Sequence, residues 1–202
     1  MNVKRAVLGV VDIGSNTIRS LIVEALSDGT WRTLDDEREM ARLAAGLNRQ
    51  GRLSPRAVRR AVAALKRMAE IARARGAERM LAVATSAIRN AANRRQFVDR
   101  VRAETGLRVR VISEEEEAEL AFESAARSFD LADRPCAVAD VGGGSSEVIL
   151  ALGSHIQQVH SLHLGSVALT EEFLRSDPVK RREFKAMRRE VRRHLEAARI
   201  EA

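Results

Sequence analysis

Tyrosine is absent from this chain, aromatic residues of every kind make up 3% of it, and it has a single cysteine. Each shortage excludes something. Without tyrosine, and with the phenylalanines set inside apolar patterns, there is no stacking platform for single-stranded nucleic acid. No helix-turn-helix, zinc-finger or RNP-type signature occurs either, so no specific nucleic-acid partner is expected. Cys136 alone cannot form an intrachain disulfide or a cysteine-based zinc site. It lies in an apolar run, where a buried structural thiol is the ordinary reading. Long apolar runs are missing too. The one that follows Met1-Asn-Val-Lys-Arg is too short and too soon interrupted for a signal peptide or a spanning helix, so a cytoplasmic location and no membrane partner are expected.

What is present is an ordinary globular composition. The 202 residues are 45% hydrophobic, enough to bury one good core or two small ones, with Ala, Val and Leu in place of aromatics. The net charge of +7 and pI near 10.7 come almost wholly from arginine. A basic protein attracts polyanions of any kind.

The most informative stretch is Asp140-Val-Gly-Gly-Gly-Ser-Ser-Glu147, flanked by the apolar runs Cys136–Ala139 and Val148–Leu150. It reads as strand, tight glycine turn, strand. Gly142, Gly143 and Gly144 free the backbone to take positive φ and to present bare N–H groups. Asp140 and Glu147 place carboxylates beside that cradle. Backbone donors suit phosphate oxygens, and carboxylates suit the hard cation that accompanies phosphate. A plain β-hairpin with a glycine turn is the competing reading. The same grammar recurs 128 positions earlier: Val10-Val-Asp12-Ile-Gly14-Ser15-Asn16-Thr17, followed by the strand Ile18–Val23. Two such hairpins suggest two half-domains with phosphate loops.

Between them, residues 6–12 and 17–25 read as an antiparallel pair and Thr30–Leu34 as a short third strand. Met40, Leu43 and Leu47 recur at helical spacing within a mixed segment, residues 35–50. Ser54 and Pro55 open a clear helix and Gly76 closes it. Val58, Val62, Leu65, Met68 and Ala72 form its apolar stripe, and its arginines, Arg60 among them, read as a solvated face. Met80–Ala84 is a buried strand leading into Thr85-Ser-Ala-Ile-Arg89-Asn90, either an anion site or a cap with a surface arginine. A second helix runs from about Arg94 to Gly106, and a strand from Arg108 to Ile112. Ser113 then precedes four consecutive glutamates, Glu114–Glu117, which favour a helix start through its dipole. Asp130–Pro135 is the natural boundary, giving half-domains of residues 1–130 and 135–202. His155, His160 and His163 do not form a metal set, because alternation along a strand separates the last two. From Pro178 the chain is an amphipathic helix, with Phe184, Met187, Val191 and Leu195 on one side and nine Lys and Arg residues among the rest.

Five of these elements stand in the right order to resemble the Ppx/GppA family, the exopolyphosphatases and guanosine pentaphosphate phosphohydrolases. They are Asp12–Arg19, Ala84–Arg89, Val111–Ser113 with Glu116-Glu117-Ala118, Asp140–Glu147, and Ser161–Gly165 with Leu169-Thr-Glu171. The resemblance covers residues 6 to 176 and implies an α/β fold of the actin/sugar-kinase/Hsp70 (ribonuclease H-like) kind. It implies a first half-domain followed by the β-β-β-α opening of a second, incomplete one. An uncovered sheet edge there would favour association with another copy.

By the same resemblance the activity is release of terminal phosphate from inorganic polyphosphate. Guanosine pentaphosphate is the rival substrate, and a non-catalytic polyphosphate- or nucleotide-binding module the rival class. A kinase would need a nucleotide pocket that nothing in this stretch supplies. Glu117 takes the water-activating role, and Arg89 with Arg19 neutralises phosphate charge. Asp12, Gly14, Ser15, Asn16 and Thr17 form one phosphate loop, and Gly142, Gly143, Gly144, Ser145 and Ser146 the other. Asp140 and Glu147 hold Mg²⁺. Two departures stand out. The family's glycine after the serine is Glu114, which would be strained if that position required positive φ. The arginine of its Gly-x-Val-Arg-Leu-Thr-Glu element is Ala168.

Overall fold

The structure, a computed structural model, describes residues 5–131 and 134–200. Met1–Lys4, and Ala132 and Asp133 of the expected boundary, lie outside the described residues. The chain divides into two compact units, residues 1–111 and 112–202.

The first unit is a five-stranded mixed sheet, order β3-β2-β1-β4-β5. Strand β1 (Ala6–Ile13) pairs antiparallel with β2 (Ile18–Ala25), and Asp12 faces Arg19 across the ladder. On the other side of β1, β4 (Arg79–Ala84) and then β5 (Val109–Val111) run parallel. Alternation sends Val11 and Ile13 fully inward while Val10 and Asp12 face out, as a strand with one packed face requires. Helix α2 (Pro55–Ala74) packs against β2 and α4 (Arg94–Thr105). Its Ala61, Leu65 and Met68 are fully buried, as are Phe97 and Val101 of α4. Both helices keep the ends written in their sequences. The Ser54 hydroxyl accepts the Ala57 N–H at 3.2 Å, and Gly106 ends α4 at φ 78°.

Strand β3 (Trp31–Glu39) is longer than expected and takes in the polar run Asp35–Glu39. It is an edge strand, where charge is tolerated, and its carboxylates find arginines: Asp36 on Arg19, Asp35 on Arg75 and Glu39 on Arg67. The Met40–Leu47 segment, read as a short helix or a structured loop, is a loop followed by the single turn α1 (Leu47–Gln50). Ala41 and Leu43 are buried from the loop, and Leu47 from the start of α1. The short helix α3 (Ser86–Arg89) follows β4 directly.

The second unit is a three-stranded antiparallel meander, β6 (Pro135–Val141), β7 (Ser146–Leu152) and β8 (His155–Leu162), with α5 (Glu114–Ser128) packed against all three strands. Ala118 and Phe122 of α5 form its core with Ile149 and Ala151, and half-buried Cys136 packs at the margin of that cluster. The division therefore falls before α5, not at residues 130–135. The apolar face of α5 belongs to the second sheet, and the polar Asp130 segment only links helix to strand. Helices α6 (Ser166–Phe173) and α7 (Arg181–Ala197) pack on each other. Nothing in α7 is fully buried, and Phe184 and Leu195 of its apolar side are exposed.

Phe122→Ala should cost about 3–5 kcal/mol, the ordinary penalty for emptying a phenylalanine site. Hydrogen exchange should then show lost protection in residues 114–162 and none in β1, β2 and α2. Loss confined to the first unit would mean that α5 belongs there.

Candidate functional site

Both glycine loops are hairpin turns of one design. The Gly14 N–H donates to the Thr17 carbonyl at 3.1 Å, and the Gly142 N–H to the Ser145 carbonyl at 3.0 Å. A Cβ on Gly14 would meet Thr17 O at 2.9 Å, and one on Gly142 would meet Ser145 O at 3.1 Å. Glycine is thus required at these two positions by close backbone approach. Positive φ is not the reason: among the described residues it occurs at Gly29, Gly46, Gly51, Gly76, Gly106 and Gly153, outside both loops.

The loop carbonyls are turned to one side. Gly142 O accepts the Ser166 N–H at 2.9 Å and the Ser166 hydroxyl at 3.1 Å, while Gly143 O accepts from Val167 N at 3.0 Å and Ala168 N at 3.3 Å. Gly165 lies so close that a Cβ there would stand 2.2 Å from Gly143 O and 2.3 Å from Gly144 N. In the first unit, Ser15 O accepts the Ala44 N–H at 2.9 Å and Asn16 O the Arg42 N–H at 2.8 Å. A trans peptide points its N–H opposite its carbonyl, so the N–H groups of Gly143, Gly144, Asn16 and Thr17 face away from these clamps. Each loop thus offers two such donors. Gly14 and Gly142 spend theirs within the turn.

The serine side chains do other work. The buried Ser145 hydroxyl donates to Glu147, and the Ser146 hydroxyl donates to the Leu164 carbonyl. Both hydroxyls are thus engaged within the second unit.

Three expected residues meet in the second unit. Asp140 and Glu147 sit directly opposite each other on β6 and β7, and Glu117 on α5 is near enough to act on Glu147 electrostatically. Glu147 is 1% exposed. Burial raises its pKa above the ordinary carboxylate range, and Glu117 and Asp140 push the same way against the Ser145 and Ser161 hydrogen bonds. Ser161 Oγ lies 3.4 Å from Glu147 Oε1. Among the described residues no group of three or more His, Cys, Asp or Glu could hold a metal ion by itself, the three histidines included. Ser113 caps α5 by accepting the Glu116 N–H at 3.1 Å, and Glu114 occupies the first helical position. The left-handed strain feared at Glu114 does not arise: positive φ among non-glycine residues occurs at Arg42 and Arg199.

Asp12, the loop Gly14–Thr17, Arg19 and Arg89 belong to the first unit. Arg19 takes the ladder position that Glu147 takes in the second, opposite the strand-end aspartate. Its guanidinium forks onto Asp36, Nε to Oδ1 at 3.0 Å and Nη2 to Oδ2 at 2.6 Å. Arg89 ends α3, with Nε and Nη2 buried. The Thr85 N–H, at the start of α3, donates to Ile13 O at 3.3 Å and ties that turn to the end of β1. Sequence reasoning missed Arg60, set down as a solvated arginine. Its Nη2 donates to the Ala41 carbonyl at 2.8 Å, just before the residues that clamp loop one. It also missed Gly165 and Ser166. A glycine followed by serine at a strand-to-helix junction was the available signal.

Two α/β units, each carrying a hairpin with an aspartate and a glycine loop, define the actin/sugar-kinase/Hsp70 fold. Solved structures match it: an exopolyphosphatase from Cytophaga hutchinsonii superposes with TM-score 0.88 at 29% identity, over 95% of this chain and 61% of that one. The Ppx/GppA family member from Aquifex aeolicus does so with TM-score 0.72 at 33% identity, over 91% and 59%. The chain belongs to the Ppx/GppA phosphatase family, whose model matches residues 22–202. It is 38% identical over 200 residues to exopolyphosphatase 2 of Mycobacterium tuberculosis, covering 95% of this chain and 62% of the relative. Exopolyphosphatase 1 of Mycobacterium leprae is 34% identical over 181 residues, covering 90% and 53%. The chain thus spans less than two thirds of these relatives' length. No helix among the described residues is long and apolar enough to cross a membrane.

The raised Glu147 pKa has a testable sign. The folded chain holds this proton to higher pH than the unfolded chain, so the contribution of Glu147 to stability is greatest in acid and is lost as pH rises through the raised value. Melting temperatures from about pH 4 to about pH 8 should show wild type losing ground to Glu147→Gln as pH climbs. Parallel curves would mean that Glu147 titrates normally.

Proposed function

We propose that this chain carries the phosphate-binding and water-activating elements of a hydrolase that releases terminal phosphate from inorganic polyphosphate. The observation that carries this reading is the second unit's glycine loop, with outward N–H groups beside the carboxylates of Glu117, Asp140 and Glu147. The exopolyphosphatase names of its relatives support the substrate. No covalent nucleophile is needed, because phosphoryl transfer to water is governed by positioning and charge neutralisation.

The donor set suits Mg²⁺. It is all oxygen, and a cation would offset the burial, and the repulsion from Glu117 and Asp140, that raise the Glu147 pKa. Because three carboxylates do not converge on one point, Asp140 and Glu147 would hold a cation that keeps most of its water shell. Bound there, Mg²⁺ would neutralise charge on the phosphate oxygens. The N–H groups of Gly143 and Gly144 bind phosphate oxygens, and those of Asn16 and Thr17 form a like pair of donors within the first unit. Glu117 orients the attacking water and accepts its proton, and Arg89 offsets phosphate charge. Guanosine pentaphosphate ends in the same anhydride and is the competing substrate of the same site.

Phosphate release from long-chain polyphosphate with Mg²⁺ tests the assignment, with guanosine pentaphosphate run alongside. Glu117→Gln should lower turnover by about 10²–10⁴-fold, the usual contribution of a positioned base, and leave polyphosphate binding intact. An equal loss from Glu115→Gln would show that the glutamate run acts only as a charge cluster. Gly143→Val should abolish binding by placing a side chain where phosphate must approach.

A further inference from the structure

The hairpin bonds from Gly14 to Thr17 and from Gly142 to Ser145 are all that a tight turn needs, yet each loop is also gripped from outside. In the second unit the grip is Leu164–Ala168. The Ser146 hydroxyl takes the Leu164 carbonyl, Gly165 rests against the Gly143–Gly144 peptide, and Ser166, Val167 and Ala168 supply four donors to two carbonyls. In the first unit it is Ala41–Ala44, held from α2 by Arg60. The two segments share no sequence pattern and differ in structure, one a helix start and the other a loop. Both follow the third strand of their sheet, and both turn the Ser15–Asn16 peptide, or its counterpart Gly143–Gly144, the same way.

Building on the phosphate-loop reading above, we infer that these segments are positioning elements for the ligand. They hold the loop carbonyls so that the opposite N–H groups converge on phosphate oxygens, with Gly165 and Ser166 in this role in the second unit. Neither touches phosphate; each acts through a peptide plane. A loop without the clamp can rotate its peptides and present a carbonyl, which repels an oxyanion. Capping of α6 would require the same donors for a purely structural purpose. The two roles separate at Ser166, the first helical residue. Proline is accepted there without harm to a helix, and Gly165 already has the extended backbone (φ −103°, ψ 150°) that a following proline demands.

Ser166→Pro therefore removes both donors to Gly142 O and keeps α6. Titration calorimetry with inorganic pyrophosphate and Mg²⁺ should show affinity reduced about tenfold, while the melting temperature stays within a few degrees of wild type. Ser166→Thr keeps the N–H and the hydroxyl and should restore binding. Ile149→Ala should lower the melting temperature and spare affinity. Wild-type affinity in Ser166→Pro would overturn the clamp and leave the phosphate-loop reading standing. So would an equal loss in Ile149→Ala, because affinity would then track stability alone. A wild-type chain that does not bind pyrophosphate would overturn the phosphate-loop reading, and the clamp with it.

Discussion

A peptide plane can present its carbonyl or its N–H to one side, never both, and the two loops are built on that constraint. The strands end in aspartate, the turn closes on its own first N–H, and the carbonyls beyond it are drawn to a neighbouring segment. The sheets supply rigidity: Ile13 and Ile18 flank the first loop fully buried, and Ser145, Ser146 and Glu147 leave the second one buried. Gly142 and Gly165 are small because backbone lies within 3.1 Å and 2.2 Å of where their side chains would begin.

The units share a hairpin but differ in charge. At matched ladder positions the first carries Arg19, forked onto Asp36, and the second carries the buried carboxylate Glu147. Glu117 and Asp140 add to the negative potential there. Such a place repels a phosphate unless a cation or a proton intervenes. The net charge of +7 acts at longer range, favouring approach of polyanions without selecting among them.

The covalent chain wrote its loops, its helix ends and most of its strands plainly, because these depend on neighbours a few residues apart. Ser54 with Pro55, Gly106, and the Asp-x-Gly turns each carry their own local physical cause. Strand β3 was harder to read. Asp35–Glu39 looks like solvated loop until Arg19, Arg67 and Arg75 are known to lie alongside. Helix α5 was placed with the wrong sheet for a similar reason: its stripe says that it packs, not on what.

For the candidate site, the sequence by itself determined which residue types stand beside each loop, and the spacing that puts Asp140 opposite Glu147. Tertiary structure decided what each could then do. It locked Arg19 to Asp36, buried Glu147 and raised its pKa, and brought Glu117 to it from another element. It also brought Arg60 to the Ala41 carbonyl, and Gly165 and Ser166 to the second loop. Burial, ion pairing and the direction of a peptide plane are set by atoms distant in the chain, and a string of residues carries no distances.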